Sequence, residues 1–311
     1  MLIDIDANKY YSIFPADPHP FISRKFVDLN KYKVDRVFML VEDNSKPSLG
    51  LIAGLKDGYL NSPFSSPFGG VHFRHELIYF GVIKGYIESL KDFIRINGLK
   101  GIQISLPPNI YHQTINSKFI NCLFNSGFKI QKIDITSWVD LESFENRLNN
   151  KESRKYLNQA IHHGLNFKLI TQNNEKLAAF ELIKKNRLQF GRPIFLSFDD
   201  LQKTNDICDI DYFAVDDQNH QSIASAIFYR AHKSIVYGVF WGDNEIGRSQ
   251  RAMNFLLFNL WKYYKQSGFK YIDLGISTEN GIPNESLLRF KESNEAISSL
   301  RYTFIWSNDC M

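Results

Sequence analysis

Lys291, Asp273 and the arginine-bearing stretch 242–251 are where residue type and spacing could carry chemistry in this chain. Lys291 follows Phe290 in a short segment of helical pattern, 285–292. A lysine there can serve as a point charge on a phosphate or as an electrostatic stabiliser, or it can simply be a solvated helix lysine. Arg289, two residues earlier, points elsewhere on a helix, because positions i and i+2 share no face. Asp273 sits between Ile272 and Leu274 in a strand of buried type. A carboxylate so placed must be hydrogen-bonded or paired. It either orients a substrate or Lys291, or bonds a neighbouring loop.

The stretch 242–249, GDNEIGRS, precedes a long helix pattern. Around a phosphate-bearing ligand, cations and free backbone N–H groups should gather, and Gly247, Arg248, Ser249 and Arg251 offer both. The plainer alternative is a polar loop with Ser249 as a helix cap. The segment 59–73, YLNSPFSSPFGGVHF, reads as a loop because of its two Ser-Pro-Phe units and Gly69-Gly70. Ser66, Gly69 and Gly70 would let a backbone approach a ligand closely, or belong to a structured surface loop. Arg154 and Lys155 lie on a polar segment of helical pattern, and either reach a groove between two halves or face solvent. Other chemistries find no footing. His72 and His75 lack the His-Glu-x-x-His spacing of a zinc protease, and His162 and His163 are adjacent and point to different sides of a helix. There is no phosphate-binding Walker loop and no Gly-x-Ser-x-Gly elbow.

A repeat positions these residues. Residues 98–105, GLKGIQIS, and 268–275, GFKYIDLG, each read as a glycine stop followed by a buried strand. Each follows an amphipathic helix pattern. In the first, Leu77, Phe80, Ile83, Ile87, Leu90 and Ile94 recur at steps of three and four; in the second, Met253, Leu256, Leu257, Leu260, Trp261 and Tyr264 share a face. The second half reads strand 166–170, helices 175–188 and 196–204, strands 210–215, 222–229 and 234–240, then the long helix, strand 271–276, helix 285–292 and strand 300–306. Three strands joined by short turns imply antiparallel pairing, and the strand–helix–strand crossover implies one parallel pair. The first half shows strands at 35–41 and 49–55, the helix, strand 101–106, a helix at 119–124 and strand structure at 129–141, with a shorter front end. The expected fold is therefore α+β, with two tandem domains at 1–140 and 141–311.

Composition narrows the setting. The length of 311 residues suits two domains, and a net charge of +4 is compatible with a phosphate-bearing ligand. No apolar run reaches the ~18–20 residues that span a bilayer. Cys122, Cys208 and Cys310 are too few and too scattered for a disulfide framework or a zinc site, which fits a cytoplasmic protein with no metal.

The element order resembles that of the GNAT N-acyltransferase fold, and two such domains in tandem resemble the FemAB family of peptidoglycan-bridge aminoacyltransferases. Three local patterns carry the likeness. They are His19, Pro20 and Phe21 near the start; Trp138, Asp140 and Leu141 followed by Arg154, Leu157, Ala160 and Gly164; and Tyr271, Asp273 and Gly275 followed by Leu287, Arg289, Phe290 and Lys291. Ser286 stands where that family commonly has glycine, Asn294 where an aromatic often follows, and no long charged helical hairpin is inserted. The resemblance implies that Lys291 lies near the substrate phosphates and the reacting carbonyl, with Asp273 beside it. It also implies that Arg289, Phe290, Arg154, Ser66, Gly69 and Gly70 border the substrate in a groove between the domains. In CoA-dependent GNAT enzymes a Gln/Arg-x-x-Gly-x-Gly/Ala loop holds pyrophosphate; here the frame is degraded to Asn244-x-x-Gly247-x-Ser249.

The implied function is acyl or aminoacyl transfer to an amine of a cell-envelope precursor or similar phosphorylated sugar or peptide. No cofactor would be tightly bound, and the donor would be aminoacyl-tRNA or acyl-CoA. Two alternatives stand beside it: an acyl-CoA-dependent transferase acting on a small amine or amino sugar, and a binding protein of this fold without catalysis. The oligomeric state is not legible.

Overall fold

The computed structural model describes residues 1–308; Cys310 lies outside the described residues. The chain forms two compact units that are not separated by one cut in the sequence. Unit 1 comprises residues 1–135, 280–282 and the segment from Ser299; unit 2 comprises 136–279 and 283–298.

In unit 1 the strands run in the spatial order Leu2–Asp4, Arg36–Glu42, Leu49–Lys56, Tyr59–Ser62, Gly101–Ser105 and Ile297–Ser307. Every neighbouring pair is antiparallel except Tyr59–Ser62 with Gly101–Ser105, which is parallel. The helix Phe80–Ile96 makes that parallel crossover and buries Ile83, Tyr86, Ile87, Leu90, Phe93 and Ile94. Alternation sends Phe38 and Leu40 into the core under this helix, and Met39 and Val41 into a second cluster with Tyr10, Phe14 and Val27.

Unit 2 repeats the plan. Its order is Asn166–Ile170, Ile210–Asp216, Ser222–His232, Ile235–Asp243, Tyr271–Ile276 and the end of Lys129–Asp140. Again one pair is parallel, Ile235–Asp243 with Tyr271–Ile276, and the others are antiparallel. The crossover helix Ala252–Gln266 buries Leu256, Leu257, Leu260, Trp261 and Tyr264, each contributing about 1.5–3 kcal/mol. The fold is thus mixed α/β, and each unit has a mostly antiparallel sheet flanked by helices. Gly98 and Gly268, the stops of the repeat, both have left-handed backbone (φ +62° and +83°) after their helices.

Two expectations change. The front end of the first half is shorter in residues but lacks no element: Leu2–Asp4 and the helices Ala7–Ile13 and Arg24–Asn30 match Asn166–Ile170, Asn173–Gln189 and Phe198–Asn205 in order. The segment 59–73 is not wholly a loop, since Tyr59–Ser62 is the parallel partner of Gly101–Ser105 and Val71–Phe73 pairs with Leu49–Lys56. Pro63 ends the first of these because it has no N–H to donate.

Candidate functional site

The parallel strands of unit 2 pair only from Ile235 to Tyr237 and from Tyr271 to Asp273. Beyond that they stop pairing with each other, and Ile235–Asp243 has a register shift opposite Ile227 and Phe228. Asp273 is fully buried, and its Oδ1 accepts the backbone N–H of Gly275 at 2.8 Å. Gly275 has φ +67°, a conformation that suits glycine. This turn brings three carbonyls onto one atom. Lys291 Nζ donates to Leu274 O and Gly275 O at 2.8 Å each and to Ile276 O at 3.1 Å.

Lys291 lies on the helix Glu285–Ser293 and is 1% exposed, so it is not a solvated helix lysine. Burial pushes its ammonium down to about 7; the carboxylate of Asp273 works against that shift and Arg187 reinforces it. Trp241 lies under the ammonium, 5.7 Å from ring centroid to Nζ. Asn294 explains its own departure from the family pattern. It is fully buried, accepts from Trp261 Nε1 through its carbonyl at 3.0 Å and from Asn254 through its side chain at 3.1 Å. It thereby ties the end of the Lys291 helix to the crossover helix, where an aromatic side chain would leave the side-chain partner unmatched.

Next to this cluster unit 2 contains a cavity of about 500 Å³ with Arg187, Arg192, Arg248 and Arg251 on its walls, together with Trp241 and Phe290. That size is in the range of small-molecule sites. The arginines are held differently. Arg248 donates to Asp243 Oδ1 and to Gln189 Oε1, each at 3.2 Å. Arg251, in left-handed backbone, lies over the Tyr156 ring at 4.3 Å. Arg192 has Glu279 at 3.9 Å. Arg187 makes no side-chain hydrogen bond or ion pair among the described residues, and burial together with Arg192 lowers its pKa. Asp243 is the acid on this wall, and burial raises its pKa against the pull of Arg248. Gly242 lets Asn186 pack beneath, where Asn186 donates to the Asp243 carbonyl at 2.7 Å; a Cβ at 242 would meet Asn186 at 2.8 Å.

The stretch 242–251 does not present a row of free N–H groups. Ser249 does not cap the long helix, whose N-cap is Arg251 with no side-chain bond; Asn244 caps the short helix Glu245–Ser249 by accepting from Gly247 N. Arg248 N, Gln250 N and Arg251 N bond to Asn244 O, Ile246 O and Arg248 O, and Ser249 Oγ donates to Ile246 O. What this stretch offers an anion is the Arg248 and Arg251 side chains.

The structure thus gathers Lys291, Phe290, Arg248 and Arg251 at or beside one cavity. Asp273 stands behind Lys291 through the Gly275 turn, and Arg289, Arg154, Ser66, Gly69 and Gly70 do not line that cavity. Arg289 is exposed on the same helix, and its charge acts on Tyr156. Arg154 donates to the carbonyls of Leu148 and Asn149, holding the start of its own helix. Ser66, Gly69 and Gly70 belong to unit 1: Ser66 Oγ donates to Phe68 O, Gly69 N donates to Ser105 O, and Gly70 has φ +108°. Unit 1 has an open cavity of about 810 Å³ with Lys33 and Lys56 on its walls, and none of the sequence-predicted residues lines it. Arg187, Arg192 and Trp241 escape a reading of the sequence. The available signal is weak: Arg187 and Arg192 flank a helix stop at Gly191, where cations ordinarily serve the helix dipole. Among the described residues no three His, Cys, Asp or Glu side chains are placed to hold a metal ion, and no helix is long and apolar enough to cross a membrane.

No protein-family model and no curated protein sequence matches the chain. Solved structures do. FemX superposes with TM-score 0.68 at 11% identity, over 99% of this chain and 97% of FemX. The fold is that of tandem GNAT proteins. L-PGS from Bacillus licheniformis gives 0.61 at 13% identity, over 99% and 94% of the two chains. A tandem GNAT protein from the clavulanic acid biosynthesis pathway gives 0.54 at 8%, over 99% and 98%. The FemAB resemblance seen in 138–164 and 271–291 therefore extends to the tandem GNAT fold of the whole chain.

Proposed function

We propose that the chain is an acyltransferase that moves an acyl or aminoacyl group onto an amine of a phosphorylated substrate, a cell-envelope precursor or a similar sugar or peptide. The observation that carries this reading is the arginine-walled cavity beside the unpaired ends of the parallel strands. Four guanidinium groups against one raised-pKa acid make a site for phosphate or pyrophosphate, held by side chains rather than by a backbone cradle. FemX and a lysylphosphatidylglycerol synthetase domain among the solved neighbours support an envelope acceptor.

In the reaction the amine nitrogen attacks the acyl carbonyl carbon. The new C–N bond forms, the ester C–O or thioester C–S bond breaks, and the amine's proton ends on the leaving group. The arginines hold the anionic part of the substrate so that the carbonyl is positioned. Lys291 lines the small cavity adjoining the arginines; its donors are held by three carbonyls, so, when protonated, it can act on a developing oxyanion only as a nearby positive charge. Asp273 acts through Gly275 by shaping the turn that fixes Lys291, which makes it a positioning residue. The donor is aminoacyl-tRNA or acyl-CoA. The bonded N–H groups of Gly247, Arg248, Gln250 and Arg251 count against a GNAT-type pyrophosphate loop and so favour the first.

The test supplies purified protein with radiolabelled aminoacyl-tRNA or acyl-CoA and nucleotide-linked muropeptide or amino-sugar acceptors. Transfer from one donor class identifies it, and loss of transfer in Arg187→Ala locates it. No transfer from either donor at high enzyme concentration leaves a non-catalytic binding protein.

A further inference from the structure

Arg187 lines three cavities of unit 2: the arginine cavity, the small one of about 130 Å³ at Lys291, and a third of about 520 Å³. The two larger cavities also share Arg192, Asn284 and Leu287, so they adjoin across these side chains. Their walls differ in kind. The third is built from Ile194, Phe195, Leu196, Phe240 and Ile276, with Ser277, Thr278 and Glu279 along one side. Phe195 is 94% exposed at its rim, and Phe190, on the arginine cavity, is 58% exposed. Glu279 would repel an anion, and it faces Arg192. The anionic end of a ligand therefore belongs on the far side of Arg187, and what suits the third cavity is apolar surface.

Resting on the reading that the arginine cavity takes a phosphate group, we propose that the adjoining cavity takes an apolar chain of the same substrate. The ligand is an anionic amphiphile, with its phosphate or pyrophosphate at Arg187 and a hydrocarbon or apolar acyl chain against Phe240, Ile194 and Leu196. Arg187 has no hydrogen-bonding partner among the described residues, so the head completes its hydrogen bonding, while the chain covers side chains now open to water. The chain belongs either to the acyl group of the donor or to the acceptor.

Calorimetric titration of the full chain with methyl, butyl and octyl phosphate tests this. Affinity should tighten about fourfold for each added methylene until the cavity is filled. Arg187→Ala should weaken every member, methyl phosphate included. Phe240→Asn, and the rim variant Phe195→Ser whose exposed side chain plays no part in folding, should flatten the series while methyl phosphate binds as before. A flat series with methyl phosphate still bound overturns the apolar site and leaves the arginine reading standing. Absence of methyl phosphate binding overturns both, and a rising series indifferent to Arg187→Ala overturns the shared placement. A parallel series of CoA, butyryl-CoA and octanoyl-CoA separates the sources. The same gain there assigns the chain to the donor, and a gain confined to the alkyl phosphates assigns it to the acceptor.

Discussion

In unit 1 the repeated strand Gly101–Ser105 closes on itself. Its parallel partner Tyr59–Ser62 pairs along its whole length, Ser105 O accepts from Gly69 N at 2.9 Å, and Ser105 Oγ meets Thr303 Oγ1 at 2.9 Å. In unit 2 the equivalent strand parts from its partner after Asp273, and its last carbonyls are gathered by a lysine. One copy satisfies its end with backbone and hydroxyl groups, which carry no net charge. The other uses a titratable side chain beside a cationic cavity. The same fold unit thus serves as plain structure in one place and as a candidate site in the other, and the difference rests on what meets the strand's last residues: Gly69 and Thr303 in unit 1, Lys291 in unit 2.

Breaking the lysine side should have the largest effect. Lys291→Met leaves the buried carbonyls of Leu274 and Gly275 and the part-buried carbonyl of Ile276 without this donor; at pH 10 the neutral amine serves two of them, at about 1–3 kcal/mol each, and urea unfolding there should show a loss of about 2–6 kcal/mol. The folded pKa of Lys291, about 7, lies below its ordinary 10.5, so the folded state binds fewer protons than the unfolded chain between those values. Stability of the native protein should therefore rise from about pH 7 to about pH 10.5, by up to about 1.4 kcal/mol per pH unit, with the full penalty present below about 7. Lys291→Met should lose this slope, so its deficit narrows toward pH 7; parallel curves for the two proteins would refute the assignment. Asp273→Ala removes the acceptor of Gly275 N–H and should cost about 1–3 kcal/mol, read as a lower denaturation midpoint with an unchanged m-value. On the unit 1 side, Ser105→Ala should cost about 1 kcal/mol by the same measurement. Gln103→Ala, at the position of the repeat that Asp273 occupies in unit 2, should stay within about 0.5 kcal/mol. If Gln103→Ala cost as much as Asp273→Ala, the two strand ends would not differ in kind.

The repeat was legible because its signals are local: glycine stops at Gly98 and Gly268, helical periodicity before them and buried-type strands after. The front end of unit 1 was not, because Leu2–Asp4 has three residues and Ala7–Ile13 and Arg24–Asn30 have seven each, too few to display a period. Tyr59–Ser62 was hidden by the prolines that come after it. Of the candidate site, Lys291, Asp273, Arg248 and Arg251 could be named from type and spacing. That Lys291 is buried, and that Arg187 and Arg192 face the same cavity, depends on tertiary packing that no local pattern encodes. Arg154 looked free on its helix and is occupied by two carbonyls.

The sheet of unit 1 is completed by Ile297–Ser307, with Ser105 meeting Thr303 across a separation of 198 residues. On the ribosome, the edge of Gly101–Ser105 is made long before the strand that covers it. Until then the N-terminal half carries an open edge, the kind of surface that invites mispairing. Completion of this sheet during synthesis therefore waits for Ile297–Ser307, and a nascent chain stopped at residue 290 should be degraded by added protease more readily in its first 135 residues than the 311-residue chain.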